Sequence, residues 1–206
     1  MVANFVLAIN NGINPMNGVQ AGLPTGYLWE MENMEQVKEA VAHAHYRLER
    51  DFLIPQFNKN KLTVNTFHFD GLALYNESTL EFFNNSMALL DPSVRKGLFG
   101  NPDLTIYTKV RDRVPTFYGE QCQIKGCIVA DGCILEGKAE NCVLFRQVTI
   151  CAGAEVEDCV IMNDTVIGEG AELKCVILDK DVTVRPGSKL CGTKKNPIIV
   201  KRGEIV

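Results

Sequence analysis

Eight cysteines and three histidines are the residues of this chain best suited to metal binding, redox exchange or proton transfer. No two cysteines form a C-x-x-C pair, and all three histidines precede residue 69 whereas every cysteine follows residue 120, so no zinc or dithiol motif is present. His43 and His45 are two residues apart and would point to different faces of a helix, unlike a chelating i, i+4 pair. We therefore predict no metal site, and we expect the cysteines to be small apolar residues in a reducing compartment.

Charged residues are nearly balanced, with 21 Lys and Arg against 25 Asp and Glu and a formal net charge of −4. No dense stripe of Lys and Arg is present, which argues against nucleic acid as a partner and against polybasic docking to a membrane. No apolar stretch approaches the roughly 18 residues that span a bilayer, and the first residues lack the basic and apolar regions of a signal peptide. We expect a cytoplasmic protein with neither nucleic acid nor a membrane as its partner.

The elements that must position any chemistry in the second half follow a six-residue period. Branched aliphatic residues recur at this spacing in two series, Leu144, Ile150 and Val156, then Ile161, Ile167 and Leu173. Small or β-branched residues stand four positions later, at Val148, Ala154, Thr165, Ala171 and Ser188. Helices have a period of 3.6 and strands a period of 2, so a period of six indicates the hexapeptide parallel β-helix. Three hexads, or about 18 residues, would make one coil, and residues 124–192 suffice for roughly four coils.

The predicted repeat domain suggests binding or assembly more than catalysis. A stack of coils leaves apolar ends and unpaired strand edges, which favours oligomerisation. Acyltransferases and anhydrases built on this repeat use histidine as a base or metal ligand, yet the repeat region here contains no histidine. Cysteines that precede aliphatic residues of the repeat are interpreted as fillers of its interior: Cys127, Cys133, Cys159 and Cys175.

The first half mixes strand and helix patterns. Phe5–Ile9 and Leu62–Phe69 are rich in apolar, β-branched and aromatic residues, which is typical of strands. Ser78 and Glu81 have the spacing of a capping box that opens a helix. The helix carries an apolar stripe of Leu80, Phe83, Met87 and Leu90 and is interpreted as a core helix.

A boundary between the two halves is predicted between residues 101 and 119. Pro102 and Pro115 flank the extended segment Ile106–Val110, which is typical of a linker. The predicted organisation is therefore an α/β domain over residues 1–100, a linker over 101–119 and an all-β repeat domain over 120–206.

Segments from both halves resemble one protein family. They are Phe69-Asp-Gly71, Asn85-Ser-Met-Ala-Leu-Leu90, Ile106-Tyr-Thr-Lys109, Pro115-Thr-Phe-Tyr-Gly119, Val143-Leu-Phe-Arg146, Val160-Ile-Met162 and Ile177-Leu-Asp-Lys-Asp-Val182. They resemble the C-terminal part of ADP-glucose pyrophosphorylase (glucose-1-phosphate adenylyltransferase), and more narrowly the bacterial companion subunit of that enzyme in glycogen biosynthesis. The resemblance covers about residues 27–206 and is densest in the second half.

The resemblance implies an α/β remnant of a nucleotidyltransferase domain over residues 1–100, followed by a left-handed parallel β-helix over 120–206. It also implies a place in the reaction of ATP with glucose 1-phosphate, which gives ADP-glucose and pyrophosphate with magnesium in an allosteric tetramer. Two features of the family's catalytic subunits are missing from the sequence. The Gly-rich nucleotide loop is absent, and Tyr75 stands where those subunits carry a metal-binding Asp. We therefore predict no catalytic residue, metal ligand or cofactor in this chain, and we expect magnesium only on a catalytic subunit.

Four residues are candidate binding residues through the resemblance. Asp51 matches a family carboxylate near the sugar, and Lys180 matches a Lys that contributes to activator binding in some members. Arg146 follows Val-Leu-Phe, where several members place an Arg, and Arg185 is included because it is near Lys180 in sequence. Lys180, Arg146 and Arg185 would form an allosteric anion site for a phosphorylated sugar. Each of the four residues is equally compatible with a solvated surface charge.

Three functional hypotheses follow. The leading one is a regulatory or assembly subunit of ADP-glucose pyrophosphorylase that is inactive alone and forms a homo-oligomer or a hetero-oligomer with a catalytic subunit. The second is part of a catalytic glucose-1-phosphate adenylyltransferase subunit. The third is a non-enzymatic hexapeptide scaffold that binds only proteins.

Overall fold

The computed structural model describes two compact units, Met1–Ala73 and Leu74–Val206. The residues it describes are 3–10, 27–29, 38, 41–43, 50–51, 54–59, 62–69, 72, 74–76, 78–100 and 113–206.

In the first unit, three strands form one mixed sheet in the order β2-β1-β3. Strand β1 (Ala3–Asn10) runs parallel to β3 (Leu62–Phe69) and antiparallel to β2 (Tyr27–Trp29). A short helix α1 (Ile54–Asn58) precedes β3. The two strands predicted in the first half are confirmed, as is its mixed α/β character.

Two helices open the second unit, α2 (Thr79–Ala88) and α3 (Pro92–Phe99). The predicted capping box is confirmed, because the Glu81 N–H donates to Ser78 Oγ at 3.1 Å and the Ser78 N–H donates to the Glu81 carboxylate at 2.9 Å. Asp91 caps α3 by accepting the Ser93 N–H at 2.7 Å, and this hydrogen bond lowers the pKa of Asp91.

The β-helix consists of three parallel sheets, each with five strands. The first face contains β4 (Phe117–Tyr118), β7 (Ile134–Leu135), β10 (Thr149–Ile150), β13 (Val166–Ile167) and β16 (Thr183–Val184). The second face contains β5 (Gln123–Lys125), β8 (Lys138–Glu140), β11 (Glu155–Glu157), β14 (Glu172–Lys174) and β17 (Lys189–Cys191). The third face contains β6 (Ile128–Val129), β9 (Val143–Leu144), β12 (Val160–Ile161), β15 (Val176–Leu178) and β18 (Ile198–Val200). The predicted parallel β-helix of about four coils is confirmed.

The coils are one residue shorter than the predicted 18. Val166 pairs with Thr183, 17 residues later, and this spacing recurs through most of the stack. The shortening occurs at the corner between the second and third faces, where Asn141, Asp158 and Cys175 have φ of 53°, 50° and 51°. A left-handed residue turns the chain sharply, so fewer residues are needed to start the next strand.

The last coil is longer, because Ile177 pairs with Ile199, 22 residues later. The extra residues form a turn in which Thr193 and Asn196 pair with each other. Lys194 from this turn forms an ion pair with the buried Asp158 at 3.0 Å, which raises the pKa of Lys194.

The interior of the coils is built from the residues that the six-residue period predicted. Six predicted aliphatic residues are at most 3% exposed: Leu144, Ile150, Val156, Ile161, Ile167 and Leu173. Each such burial contributes roughly 1.5–3 kcal/mol, so this interior is the main source of stability in the β-helix.

Cysteines fill part of the interior, as predicted. Cys133, Cys159 and Cys175 are at most 2% exposed, and Cys127 packs against the core while half-buried. Burial raises the pKa of the Cys133 and Cys175 thiols, which disfavours the reactive thiolate.

The outside of the third face is covered by helix α2. Phe83 is 1% exposed and packs with Val160, Cys175 and Ile177. The helix that the sequence assigned to the first domain thus belongs to the same compact unit as the β-helix. The two units divide between Ala73 and Leu74, whereas the sequence placed the boundary in residues 101–119. Of that predicted linker, residues 101–112 lie outside the described residues, and 117–118 form strand β4.

The outside of the second face carries a ladder of ion pairs between neighbouring strands. Four lysines each pair with a glutamate, in the pairs Lys125–Glu140 at 2.6 Å, Lys138–Glu155 at 2.8 Å, Lys174–Glu157 at 2.7 Å and Lys189–Glu172 at 2.7 Å. The charges of this face are therefore neutralised within the chain.

Candidate functional site

Predicted anion-site residues lie at the corner where the chain passes from the third face to the first. We call Arg146, Asn163, Lys180 and Arg202 the corner column, because they occupy equivalent positions in successive coils. Backbone hydrogen bonds fix the stack: the Asp164 N–H donates to the Arg146 carbonyl at 3.1 Å, the Asp181 N–H to the Asn163 carbonyl at 3.0 Å and the Gly203 N–H to the Lys180 carbonyl at 3.1 Å.

Left-handed residues follow the corner column and shape it. Gln147, Asp164 and Asp181 each have a φ of 60°, a conformation that Asp tolerates better than most residues. Their N–H groups are all used in bonds to the preceding coil. An anion at this corner would therefore depend on side chains, not on free backbone donors.

The corner column presents two free cations around one amide. Neighbouring strands lie about 4.8 Å apart, so Arg146 and Lys180 are separated by two spacings, or about 10 Å, with Asn163 between them. Lys180 is exposed and Arg146 is half-buried. Across the described residues, no carboxylate lies within ion-pair distance of either cation. The three side chains thus supply hydrogen-bond donors along one edge of the β-helix.

Two aspartates flank Lys180 in sequence, and the structure gives them different roles. The Asp179 carboxylate accepts the Lys180 N–H at 2.7 Å. Asp181 forms an ion pair with Arg202 Nε at 2.8 Å, which neutralises its charge. Sequence reasoning missed Arg202, because the longer last coil places it 22 residues after Lys180 instead of 17.

Arg185 lies at a different corner from Lys180. It directly follows β16, whereas Lys180 precedes that strand, and its N–H donates to the Val206 carbonyl at 2.6 Å. The structure therefore brings Arg146 and Lys180 into one column and leaves Arg185 outside it.

Asp51, the predicted sugar-binding residue, lies in the first unit. Its carboxylate accepts a hydrogen bond from Arg50 Nε at 2.7 Å, and this contact raises the pKa of Arg50. The Asp51 side chain is 18% exposed. This arrangement satisfies a surface carboxylate without any ligand.

The position of the family's metal carboxylate does not fit magnesium. Tyr75 occupies it, and a phenol is a poor ligand for a hard cation at neutral pH. The Tyr75 carbonyl accepts a hydrogen bond from the Asn85 side chain, which also donates to Asn76 Oδ1 at 2.9 Å. Within the described ranges, no three His, Cys, Asp or Glu side chains are grouped as a metal site.

Two further expectations concern histidine and membranes. His43 is exposed, and His45 lies outside the described residues. The helices described by the structure include none that combines the length and the apolar character required for a membrane span.

The fold and its repeats define a hexapeptide-repeat domain. Residues 114–196 match the family model of the GlmU-like C-terminal hexapeptide. The relatives of the chain narrow this class to proteins of glycogen biosynthesis.

Over 142 residues the chain is 40% identical to the glycogen biosynthesis protein GlgD of Bacillus subtilis, covering 69% of this chain and 41% of the relative. It is 60% identical over 121 residues to GlgD of Geobacillus stearothermophilus, covering 59% of this chain and 35% of the relative. A weaker similarity, 26% over 121 residues, links it to glucose-1-phosphate adenylyltransferase of Geobacillus stearothermophilus, covering 59% of this chain and 31% of that enzyme.

These similarities confirm the resemblance found in the sequence, both to the adenylyltransferase family and to the bacterial companion protein of glycogen biosynthesis. The chain spans about two fifths or less of the length of these relatives.

Proposed function

We propose that this chain is a regulatory and assembly subunit of ADP-glucose pyrophosphorylase that acts in cytoplasmic glycogen biosynthesis without catalysing the reaction itself. The identities carry this proposal, because they are 40% and 60% to two glycogen biosynthesis proteins but only 26% to a glucose-1-phosphate adenylyltransferase. A catalytic partner subunit would join ATP to glucose 1-phosphate, and this chain would control its activity.

The chemistry of the described residues supports a non-catalytic role. Phosphoryl transfer depends on carboxylates that hold magnesium against the phosphates, whereas Tyr75 occupies the corresponding position here. We propose that magnesium belongs to the catalytic subunit and that this chain requires no cofactor of its own.

The regulatory ligand is proposed to be a phosphorylated sugar bound by Arg146 and Lys180. Charge-assisted hydrogen bonds from well-placed cations contribute roughly 1.5–3 kcal/mol each, and Asn163 offers a further donor between them. Pairing of Asp181 with Arg202 removes one negative charge that would oppose an anion beside Lys180.

An activity assay with purified subunits tests the main proposal. ADP-glucose formation is measured for this chain alone, for a catalytic glucose-1-phosphate adenylyltransferase of the same organism alone, and for their mixture with and without phosphorylated sugars. We expect no turnover by the chain alone and a changed rate or effector response in the mixture. Turnover by the chain alone would favour the catalytic alternative, and a mixture identical to the catalytic subunit alone would favour the scaffold alternative.

A further inference from the structure

The outside of the first face is an exposed apolar and β-branched surface. One outward position of each strand, continued by the residue paired with Thr183, forms a six-level column of Phe117, Ile134, Thr149, Val166, Thr183 and Ile205. Phe117 is 58% exposed, Ile134 45% and Ile205 60%. This surface differs from the other two, since helix α2 covers the third face and ion pairs neutralise the second.

Four exposed charges border this column at its second and fifth levels. Asp131 and Lys180 precede Ile134 and Thr183 by three residues and lie on one border. Glu136 and Arg185 follow the same two column residues by two positions and lie on the other border. Among the residues that the structure describes, none of these four charges takes part in an ion pair.

The order of residues along the column makes this surface self-complementary when it is reversed. The midpoint of the column lies between Thr149 on β10 and Val166 on β13. Reversal about this midpoint sets Phe117 opposite Ile205 and Ile134 opposite Thr183. On each border it sets a negative charge opposite a positive one, because the second level is acidic and the fifth level is basic.

We propose that two copies of this chain pair through the first face, antiparallel, about a twofold axis that passes between β10 and β13. In this dimer, Asp131 faces Lys180 of the second copy and Glu136 faces Arg185 of the second copy, and each pair occurs twice, as in any isologous interface. The apolar column supplies the centre of the contact, and the four charges on each copy form its rim.

Charge also decides the orientation of the two copies. A parallel arrangement would set Lys180 opposite Arg185 and Asp131 opposite Glu136, which places like charges together at both levels. The antiparallel arrangement has opposite charges at all four contacts, so the unpaired ions of the first face select one geometry.

Charge reversal at Glu136 and Arg185 tests the dimer, and both residues lie outside the corner column, so the test is independent of anion binding there. The mass of the full chain is measured by light scattering after size exclusion, over a series of concentrations. We expect twice the monomer mass of 22.8 kDa for the wild type. Glu136→Arg and Arg185→Glu should each weaken the dimer about tenfold or more, and the double variant should restore it.

Two further variants separate this face from general effects. Val166→Lys places a charge at the centre of the column and should also give a monomer, whereas Glu172→Arg makes the same change of charge as Glu136→Arg on the second face and should leave the dimer intact. Circular dichroism checks that each variant is folded. A wild type that stays monomeric, single reversals that keep the wild-type mass, or a double variant that remains monomeric would each overturn the proposal.

Discussion

The second face and the corner column share one backbone plan but treat their charges in opposite ways. On the second face, residues one coil apart carry opposite charges, so Lys174 pairs with Glu157 across adjacent strands. In the corner column, Asn163 separates Arg146 from Lys180, and neither cation has an ion-pair partner within the described residues. Because stacked coils place equivalent residues side by side, the sequence at a spacing of 17 decides whether a charge is neutralised or left for a ligand.

The first test of this comparison concerns the interior that both surfaces share. Ile161→Ala removes a fully buried side chain and should lower the free energy of unfolding by about 2–5 kcal/mol, because it leaves a cavity between coils. Val166→Ala, on the exposed first face, should cost about 1 kcal/mol or less. Urea unfolding of both variants measures the difference. Equal losses would mean that the surfaces, rather than the interior, stabilise the coils.

The second test compares a free lysine with a paired one. Lys180→Ala should weaken binding of a phosphorylated sugar about tenfold or more, because it removes a charge-assisted hydrogen bond. Lys174→Ala is the matched control, since Glu157 already neutralises that lysine. Ligand-dependent thermal stabilisation reports binding, with sulfate as the ionic control. Identical shifts in both variants would return Lys180 to the role of a solvated surface charge.

The smallest effect is expected from the ladder on the second face. The hydrogen bond from Lys138 lowers the pKa of Glu155, so the pair stabilises the fold above the ordinary pKa of a glutamate. This contribution is lost as the pH falls through the lowered pKa. Thermal unfolding between pH 7 and pH 3 should therefore show a slightly smaller acid loss for Glu155→Gln than for the wild type. High salt should reduce the difference, and a difference that salt leaves unchanged would contradict a surface ion pair.

Sequence periodicity predicted the interior of the β-helix because the inward position of each hexad must be aliphatic whatever the corners do. The coil length was less accessible, since it depends on left-handed corner residues. Asn141 and Asp158 are residue types that favour this conformation, but Cys175 carries no such signal.

The domain boundary and part of the site escaped the sequence for related reasons. A helical apolar stripe shows that α2 is amphipathic, but it does not show that Phe83 packs on the third face of the β-helix. Lys180 was found through a resemblance, whereas Arg202 was hidden by the longer last coil. The unpaired state of Arg146 and Lys180 depends on which residues neighbour them across coils, and this becomes visible only once the register is known.

The regular stacking of the corner column makes the distance between its functional groups discrete. Each coil adds one strand spacing of about 4.8 Å, so two cations along the edge can be separated only by whole multiples of this step. Deleting one full coil between Arg146 and Lys180 would preserve the register of every other side chain while shortening their separation by one step. The β-helix thus acts as a molecular ruler, and a ligand that engages both cations is selected by the length between its own anionic groups.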